Sequence, residues 1–484
     1  MQKFFKRAAL LLAVMTCVSM YSCKDKDNDE VVDPTAPITP VEPSAKDAMS
    51  AEAQKEYLEK VAIELAEKMP ASDFNSLFAY LQQLSKHLGQ YSDKNISTWS
   101  REALKSMTTV LSSGEYTEKT STTNADHITY YSYSTTKNVL TLSAFTGHFT
   151  IEDKAWVYEE ASDLQFNFVD QDGKKCVIKL ETSGDVKTVH AVTEIDADEY
   201  STGFDRSGEK PVSTKYDNAD TTFQYVSLPE KVKLTFNRDG LTLASMNCTF
   251  KLSDLEGEEF IMNKSNLSCT AALELVNGYK VEVVNLNYKA EKKLTAALRL
   301  SKNKEALVTL TLNTGLKFPT VAFSDLDMDP ETYEEEKQTT YWVEEAKLDA
   351  FTLKLDILGK VQVQGVATEF IEFYNLLDDV IYDFNVTDGE SFKNAAEDLN
   401  HKIDCGIFYN GKNAKQADIK MAAFNNGTEE SEKWTLIPVI KFADGTSYGD
   451  MTSFFSAENF GKAIEAWYNL IGEYKNLGKE QNIK

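Results

Sequence analysis

One cysteine near the start of the chain, Cys23, stands in a setting that suits covalent modification of its thiol. A short basic head (Lys3, Lys6 and Arg7) is followed by an apolar run over residues 8–18. This run has the length of a secretion signal and is too short to span a bilayer as a helix. The residues that follow Cys23 are lysines and acidic side chains. The order predicts an exported chain from which residues 1–22 are removed.

This segment resembles the signal of bacterial lipoproteins, in which such a cysteine becomes the fatty-acylated first residue of the mature chain. Ser22 supplies the small residue before the cleavage point, and Met20 supplies an apolar residue two positions earlier. The charged run after Cys23 resembles the export tag of Bacteroidota-type surface lipoproteins. The resemblance implies lipidation of Cys23 and attachment to the outer membrane, with the protein facing the extracellular side.

A second group of residues has the spacing of a calcium-binding loop. Its carboxylates belong to Asp325, Asp327, Asp329 and Glu336, and carboxylate oxygens are ligands that Ca²⁺ prefers. Pro330 occupies the position at which such loops need glycine for a sharp turn, and its fixed negative φ cannot make that turn. The sequence therefore favours a solvated acidic loop, with calcium as the alternative; no other cofactor is predicted.

Two motifs resemble catalytic or nucleotide-binding sites. Ser447 lies in a G-x-S-x-G pattern, but a hydrolase needs a histidine base after the serine and none follows His401. Residues 406–413 nearly match a phosphate-binding loop, yet Asn413 replaces the magnesium-binding hydroxyl and Asn410-Gly411 is a hairpin turn signal. Both motifs are interpreted as hairpins, and we expect no catalysis from either.

Carboxylate pairs and aromatic residues keep two functions open, which are glycoside hydrolysis and sugar binding. A glycosidase needs two carboxylates across a cleft, and adjacent acidic pairs occur at Asp378-Asp379, Glu344-Glu345 and Glu258-Glu259. Aromatic rings can stack on sugars, although they also serve sheet cores. The aromatic candidates near strand ends or loops are Tyr130, Tyr131, Tyr133, Trp156, Tyr158, Tyr341, Trp342 and Trp434.

The charge of the chain excludes some partners. With 51 basic and 76 acidic residues, the formal net charge is -25. Nucleic acids and anionic membrane surfaces are therefore poor partners.

Four cysteines follow Cys23: Cys176, Cys248, Cys269 and Cys405. Export would allow them to pair, in three connectivities. Cys176, Cys248 and Cys269 alternate with apolar residues of predicted strands, so the sequence favours buried free thiols over disulfides.

The chain begins with a spacer and a helical segment. Residues 23–45 form an acidic, proline-punctuated tether. Residues 46–125 are predicted to be helical. The first helix is capped by Ser44 and Asp47 and carries Tyr57, Leu58, Val61, Leu65 and Met69 before Pro70. A second helix follows Ser72 with Phe74, Leu77, Phe78, Leu81, Leu84 and Leu88, and a third covers residues 98–111.

From residue 126 to 365 apolar residues recur at every second position. This alternation predicts a long antiparallel meander, either a curved sheet or a sandwich. Turn signals include Asp172-Gly173 and Asp239-Gly240. Residues 366–484 mix helices with hairpins, whose turns are predicted at Asn410-Gly411 and Asp444-Gly445. The last helix is capped by Ser456 and carries Phe460, Ile464, Trp467 and Ile471. The fold class is α+β, with the N-terminal helices packed on the sheet.

These observations predict a non-catalytic, cell-surface lipoprotein that binds an extracellular ligand, of the glycan or peptide class, or a partner protein. Three alternatives stay open: a carbohydrate-active hydrolase with an Asp/Glu pair, a structural adhesin or fimbrial component, and a lipid carrier.

Overall fold

The protein is described here from a computed structural model. It describes residues 49–75, 77, 108–111, 119–122, 128–131, 135–141, 143, 146–152, 155–170, 172–196, 203–204, 211–212, 220–318, 320, 322–323, 347–370, 372–373, 376–377, 388–409, 415–425, 427, 433–448 and 456–477. The helices are α1 (Ala51–Lys68), α2 (Gly389–Lys402) and α3 (Ala457–Leu477), and a 3₁₀ turn follows α1 at Ala71–Phe74.

The first eleven strands are β1 (Thr108–Leu111), β2 (Lys119–Thr122), β3 (Ile128–Tyr131), β4 (Thr135–Thr141), β5 (Gly147–Glu152), β6 (Ala155–Glu159), β7 (Leu164–Val169), β8 (Lys175–Asp196), β9 (Gly203–Phe204), β10 (Pro211–Val212) and β11 (Asp220–Arg238). The others are β12 (Leu241–Ser253), β13 (Asn266–Leu275), β14 (Tyr279–Lys289), β15 (Lys293–Lys302), β16 (Glu305–Lys317), β17 (Lys347–Ile357), β18 (Val361–Ala367), β19 (Ile403–Tyr409), β20 (Ala417–Asn425), β21 (Trp434–Phe442) and β22 (Ser447–Tyr448).

One 18-stranded sheet contains most of these strands. From β11 to β22 each strand pairs antiparallel with the next in sequence, which is a meander. β11 also pairs along its length with β8, which leads through β7 to β5 and β6. Two pairings in this sheet are parallel, β4 with β11 and β5 with β7. The predicted α+β class is confirmed, with one large, mostly antiparallel open sheet.

Short turns connect the meander because their residues accept positive φ. Asp239 and Gly240 have φ values of 52° and 84°, so this two-residue loop between β11 and β12 matches the twist of the strands. Gly173 and Gly445 also have positive φ, in the turns before β8 and before β22. The turns predicted at Asp172-Gly173, Asp239-Gly240 and Asp444-Gly445 are therefore confirmed.

Alternation gives the sheet one apolar face. Val308, Leu310 and Leu312 of β16 pair with Ile357, Leu355 and Leu353 of β17 in register. β17 in turn aligns Ile357 with Val361 and Leu355 with Val363 of β18. Because side chains point to alternate faces, these residues form a continuous apolar surface.

Helices α1 and α3 cover this apolar face over β16 to β21. Leu58, Val61 and Leu65 of α1 are buried in the main core cluster with Phe460 of α3 and Leu307 of β16. The apolar stripe predicted for the first helix is thus confirmed, and Pro70 follows its end as expected.

Gln54 fixes α1 to the sheet with hydrogen bonds. It is fully buried, its Nε2 donates to the Gln416 carbonyl at 3.0 Å, and its Oε1 accepts from the Tyr409 hydroxyl at 2.9 Å. A buried amide whose hydrogen-bonding groups are satisfied fixes how the helix lies on the sheet.

Two predictions for the N-terminal helices need correction. The N-cap of α1 is Ser50, whose side chain accepts from the Ala53 N–H; the predicted caps Ser44 and Asp47 lie outside the described residues. The last four residues of the predicted third helix form strand β1, since Thr108, Thr109 and Val110 are β-branched and pair with β4. Its residues 98–107, and residues 78–88 of the predicted second helix, lie outside the described residues.

Helix α2 fills a gap in the sheet. β19 and β20 pair only at Gly406–Asp418 and Ile407–Ala417. Farther along β20, the Asn400 amide of α2 accepts from the Met421 N–H at 2.7 Å and donates to its carbonyl at 2.8 Å. A side-chain amide thus replaces a neighbouring strand. The boundaries predicted at residues 45, 125 and 365 stay predictions.

Candidate ligand-binding cleft

The candidate site starts at a bend in the long strands β8 and β11. Gly184 of β8 has φ +85°, and a Cβ at this position would lie 2.6 Å from the Glu230 Cβ. The pairing of β8 with β11 shifts by one residue between Pro229 and Lys231, beside this glycine. Glycine allows both the positive φ and the close approach, so the two strands bend together here.

At the same level β12 separates from β11. Their pairing runs from Arg238–Leu241 to Lys231–Thr249 and ends there. β11 continues toward its N-terminus between β8 and β4, whereas residues 250–253 of β12 pair only with β13. The parted strands leave a space between residues 228–230 of β11 and residues 250–253 of β12.

The turn that follows β12 is held against β8. The His190 N–H donates to the Glu258 carbonyl at 2.8 Å, and His190 Nδ1 lies 2.9 Å from Glu259 Oε1. The His190 ring stacks on Tyr225, with 4.7 Å between ring centroids. Lys137 of β4 forms an ion pair with Glu258 and lies over the Tyr225 ring. These contacts fix the far end of the space.

The result is a cleft of about 630 Å³, which lies within the range of small-molecule sites. The apolar residues at the cleft are Leu228, Phe250, Leu252, Leu267 and Tyr288, of which the register places Leu252, Leu267 and Tyr288 on one face of β12 to β14. The polar residues are Asp185, Lys187, Glu230, Lys251, Ser253, Asn266, Ser268, Asn287 and Lys289, of which Lys251, Ser268 and Asn287 lie on the opposite face. A second depression shares Lys187, Leu252 and Ser253 with it and extends along the turn to Glu258.

Hydrogen bonds orient some of the polar groups. Asp254 Oδ2 accepts from the Ser253 hydroxyl at 2.8 Å and from Asn266 Nδ2 at 2.6 Å, while Asn266 Oδ1 accepts from the Ala290 N–H at 3.2 Å. Ser268 and Asn287 are direct partners in the β13–β14 register and share one face. Hydroxyl and amide groups therefore line neighbouring strands.

Charges of both signs surround the cleft. Lys251 Nζ lies 3.8 Å from Glu230 Oε1, so this pair spans the gap between β12 and β11. Burial and the charge of Glu291 raise the pKa of Tyr288 to about 12, and its hydroxyl donates to the Met262 carbonyl. Tyr288 therefore stays neutral at any physiological pH, and it is buried beside the cleft in a small core cluster with Phe260 and Met262.

The arrangement offers hydrogen-bonding and charged groups to a ligand. Its polar groups are amides, hydroxyls, lysines and carboxylates, and the cleft lining includes no histidine or cysteine. Among the residues that the structure describes, no group of three or more His, Cys, Asp or Glu side chains converges as a metal site.

The residues predicted from sequence are not brought together by the described structure. Cys23 and the acidic group Asp325, Asp327, Asp329 and Glu336 lie outside the described residues, so lipidation and calcium binding stay predictions. The carboxylate pairs Asp378-Asp379 and Glu344-Glu345 lie outside them too. Glu258 and Glu259 are described, and they pair with Lys137 and His190.

The two motif matches have the structural context of hairpins where they are described. Ser447 lies in β22, directly after the Asp444-Gly445 turn, as the hairpin interpretation predicts. Gly406 lies inside β19, and Asn410-Gly411 and Asn413 lie outside the described residues.

Most predicted aromatic candidates are not described at the side-chain level. Tyr130 and Tyr131 lie in β3 and Trp156 and Tyr158 in β6, while Tyr133, Tyr341 and Trp342 lie outside the described residues. Trp434 packs in a core cluster with Phe392 and Ala395 of α2. This ring therefore has a structural role.

The four described cysteines are free thiols, as the sequence favours. Cys176 and Cys405 are buried, and burial, with a contribution from Asp404, raises the pKa of Cys405 to about 12. Cys248 and Cys269 are half-buried on β12 and β13, where each faces a different residue: Cys248 aligns with Ala271 and Cys269 with Phe250.

Sequence reasoning missed the cleft residues because they are ordinary polar and apolar strand positions. One signal was available: Gly184 interrupts the polar-apolar alternation within a long strand, and an isolated glycine in a strand marks a bulge or a close backbone approach.

Comparison with known proteins supplies no relative: no protein-family model, curated protein or solved structure matches the chain. None of the helices in the described part of the chain has the length and apolar character needed to cross a bilayer.

Proposed function

We propose that this chain is a lipid-anchored protein of the bacterial outer surface that binds an extracellular glycan in the cleft between β11 and β12. The observation that carries the proposal is the cleft itself, at which the register places Lys251, Ser268 and Asn287 on one face of neighbouring strands. Sugars present several hydroxyl groups, which amide, hydroxyl and lysine side chains can bind through hydrogen bonds.

The alternative ligand, an extended peptide, has less support. Peptides that bind to sheets add a strand to a free edge, and their affinity comes from main-chain hydrogen bonds. Only residues 250–253 of β12 lie beyond its last pair with β11. That length is shorter than a typical strand of about five to six residues. Recognition by side chains is therefore favoured, and side chains in the cleft suit a neutral sugar.

The anchoring part of the proposal rests on the sequence. Acylation of Cys23 would hold the chain at the membrane, and the tether to residue 45 would place the folded part away from it. Intact mass measurement of the protein from its native membrane tests this point: a fatty-acylated N-terminal Cys23 is expected. An unmodified residue 23 would contradict anchoring and leave the cleft proposal standing.

The finer architecture is also a proposal. The bend at Gly184 and the separation of β12 from β11 favour a strongly curved sheet over two stacked sheets. Curvature of this kind gives a sheet a concave side on which a ligand can be enclosed.

Glycan binding is tested by titrating a panel of neutral oligosaccharides into the protein and its variants. We expect Asn287→Ala and Lys251→Ala to weaken binding by about tenfold or more, because each removes a group that lines the cleft. The matched controls are Lys280→Ala, at the other end of β14, and Lys233→Ala on β11, which should bind normally. Binding that is equal in all four variants would contradict the proposal.

A second candidate function, lipid carriage, has one observation in its favour. Leu273, Val281 and Leu298 are exposed side chains of β13, β14 and β15, and the register places Leu273 opposite Val281 and Leu298 opposite Val283. An exposed apolar surface of this kind suits an acyl chain. Organic extraction of the purified protein tests it: bound lipid would support this function, and its absence would leave glycan binding.

A further inference from the structure

A row of polar side chains runs across five strands, starting at the cleft. Lys251 of β12 aligns with Ser268 of β13, and Ser268 aligns with Asn287 of β14. The register continues from Asn287 to Thr295 of β15 and from Thr295 to Asn313 of β16. Directly aligned residues of neighbouring strands lie on the same face of a sheet, so these five residues form one line, which we call the polar row.

The polar row lies on the face of the sheet opposite to the one that α1 and α3 cover. Leu312 precedes Asn313 in β16 and packs against the main core under these helices. Leu294 precedes Thr295 in β15 and packs in a smaller cluster around Phe260. Because successive side chains of a strand point to opposite faces, the polar row points away from both clusters.

Thr295 is the lowest point of the polar row. It is short and only 2% exposed, whereas Asn287 and Asn313 on either side of it are longer and half-buried. Two strand spacings, about 10 Å, separate the two asparagines. Their side chains therefore border a shallow groove with Thr295 as its floor. The groove is continuous with the cleft, because Asn287 also lines the cleft.

For a ligand, the polar row ends at Asn313. Thr352 of β17 aligns with Asn313, but Thr352 is 6% exposed and its hydroxyl donates to the Asn313 carbonyl at 3.1 Å. The next aligned residue, Val366 of β18, has no polar side chain. From Lys251 to Asn313 the polar row spans four strand spacings, or about 19 Å.

The chemistry of the polar row suits hydroxyl groups. Carboxamides and hydroxyls both donate and accept hydrogen bonds. The side chains of Ser268 and Asn287 have no hydrogen-bonding partner among the residues that the structure describes, so both are open to a ligand. The one charge in the row, on Lys251, lies 3.8 Å from Glu230 Oε1, so the row is neutral overall.

We propose that the glycan is an oligosaccharide of several units that lies along the polar row, across β12 to β16, with Asn313 as its far contact. This inference rests on the proposed function and adds the length and the direction of the bound chain. A single sugar ring is too short to reach from Lys251 to Asn313. Each further unit places hydroxyl groups farther along the row and gains hydrogen bonds until Asn313 is reached.

Calorimetric titration with neutral sugars of increasing length tests the proposal. The probes are glucose, mannose and xylose, and the oligosaccharides of cellulose, mannan and xylan up to the hexasaccharide. We expect affinity to rise by about tenfold or more from the monosaccharide to the hexasaccharide of the series that binds. Equal affinity at all lengths would overturn the proposal and leave binding in the cleft standing. No binding of any probe would overturn both.

Asn313→Ala locates the far contact. It should weaken binding of the hexasaccharide by about tenfold and leave binding of the monosaccharide unchanged, because the short ligand does not reach it. Asn287→Ala should weaken both, because Asn287 lines the cleft. The matched control is Thr309→Ala, four residues before Asn313 on the same face of β16, which should bind every length normally. An equal effect of Asn313→Ala on short and long ligands would overturn the proposed direction.

A second variant, Asn313→Asp, controls for folding, since Asn313 also has contacts within the fold. Aspartate keeps the size of the side chain and loses the amide donor. We expect a melting temperature close to that of the unsubstituted protein and weaker binding of the hexasaccharide. Full hexasaccharide affinity in both Asn313 variants would overturn the proposal.

Discussion

The helix-covered region, formed by α1, α3 and strands β16 to β21, differs from the cleft region, formed by the bend of β8 and β11 and the ends of β12 to β14. In the first, two helices cover the apolar face and bury Leu58, Leu307 and Ile440 completely. In the second, strands separate, a glycine has positive φ, and polar side chains line the opening. The comparison teaches that the packed core and the open cleft lie in different parts of one sheet.

A buried lysine gives the largest expected effect. Lys415 is 1% exposed; it forms an ion pair with Asp404 and lies 2.8 Å from Asp418 Oδ1. Burial lowers the pKa of Lys415, but the two carboxylates outweigh it and the net shift is upward. Lys415→Met would leave two carboxylates without their cation, and we expect a loss of about 3–5 kcal/mol in the free energy of unfolding.

Urea denaturation measures this loss. The control is Lys402→Met, which removes a lysine that pairs with the exposed Glu369 and Glu372 and should cost little. If Lys415→Met lost as little free energy of unfolding as Lys402→Met, the buried ion pairs of Lys415 would not contribute to the stability of the helix-covered region.

A pair of leucines compares the regions with the same chemistry. Leu307 is fully buried under the helices, whereas Leu273 on β13 is 38% exposed. Leu307→Ala leaves a cavity and should cost about 3 kcal/mol, while Leu273→Ala should cost less than about 1 kcal/mol. Thermal or urea unfolding of the two variants measures the difference. Equal losses would contradict the view that packing is concentrated under α1 and α3.

The helix-covered region and the cleft region also differ in how much of their structure could be predicted from sequence. The alternation in β7, β8, β11 and β15 to β18 was readable from sequence, because one-sided burial leaves a period of two. The turns at Asp239-Gly240 and Asp444-Gly445 were readable because they need positive φ. These signals are local.

The cleft could not be predicted because it depends on where two strands stop pairing. Thr249 of β12 still pairs with Lys231, and residue 250 does not pair with β11, yet nothing in the residue types distinguishes the two positions. The exposure of Ile464 and Ile471 was also not predictable. An apolar period shows that a helix has an apolar side, but not how much of that side its own fold covers.

A substitution at Gly184 tests whether the bend of β8 and β11 positions the cleft. Gly184→Ala would place a methyl group against Glu230 in a backbone conformation that alanine rarely adopts. We expect a loss of about 1–3 kcal/mol and a clear loss of glycan affinity, because the bend positions the cleft. Gly173→Ala is the control: its φ is also positive, but no atom lies within 4 Å, so stability should fall while binding is kept. Calorimetric titration and thermal unfolding measure the two effects. Normal glycan binding by Gly184→Ala would show that the bend at Gly184 does not position the cleft.

Acid should destabilise the turn between β7 and β8. Burial raises the pKa of Asp170, but the Lys174 N–H, Arg238 and the Asp172 N–H outweigh it and hold the pKa below its ordinary value of 3.8. Because the folded-state pKa is the lower one, this carboxylate stabilises the fold above about pH 4, and the contribution is lost as the pH falls through the folded-state pKa.

Asp170→Asn should lose about 1 kcal/mol near neutral pH and show a smaller fall in melting temperature between about pH 5 and 3 than the unsubstituted protein. Asp172→Asn is the control, because this carboxylate is exposed and makes one contact with Arg238. Identical acid sensitivity of the Asp170 variant and the unsubstituted protein would contradict this assignment.

Hydrogen–deuterium exchange with and without a bound oligosaccharide tests the central claim most directly. We predict that the sugar slows exchange in peptides covering residues 250–268 and 285–290, while exchange in α1 and in β17 to β20 stays unchanged. Protection confined to the helix-covered region, or no protection with any sugar of the panel, would contradict a glycan site in the cleft.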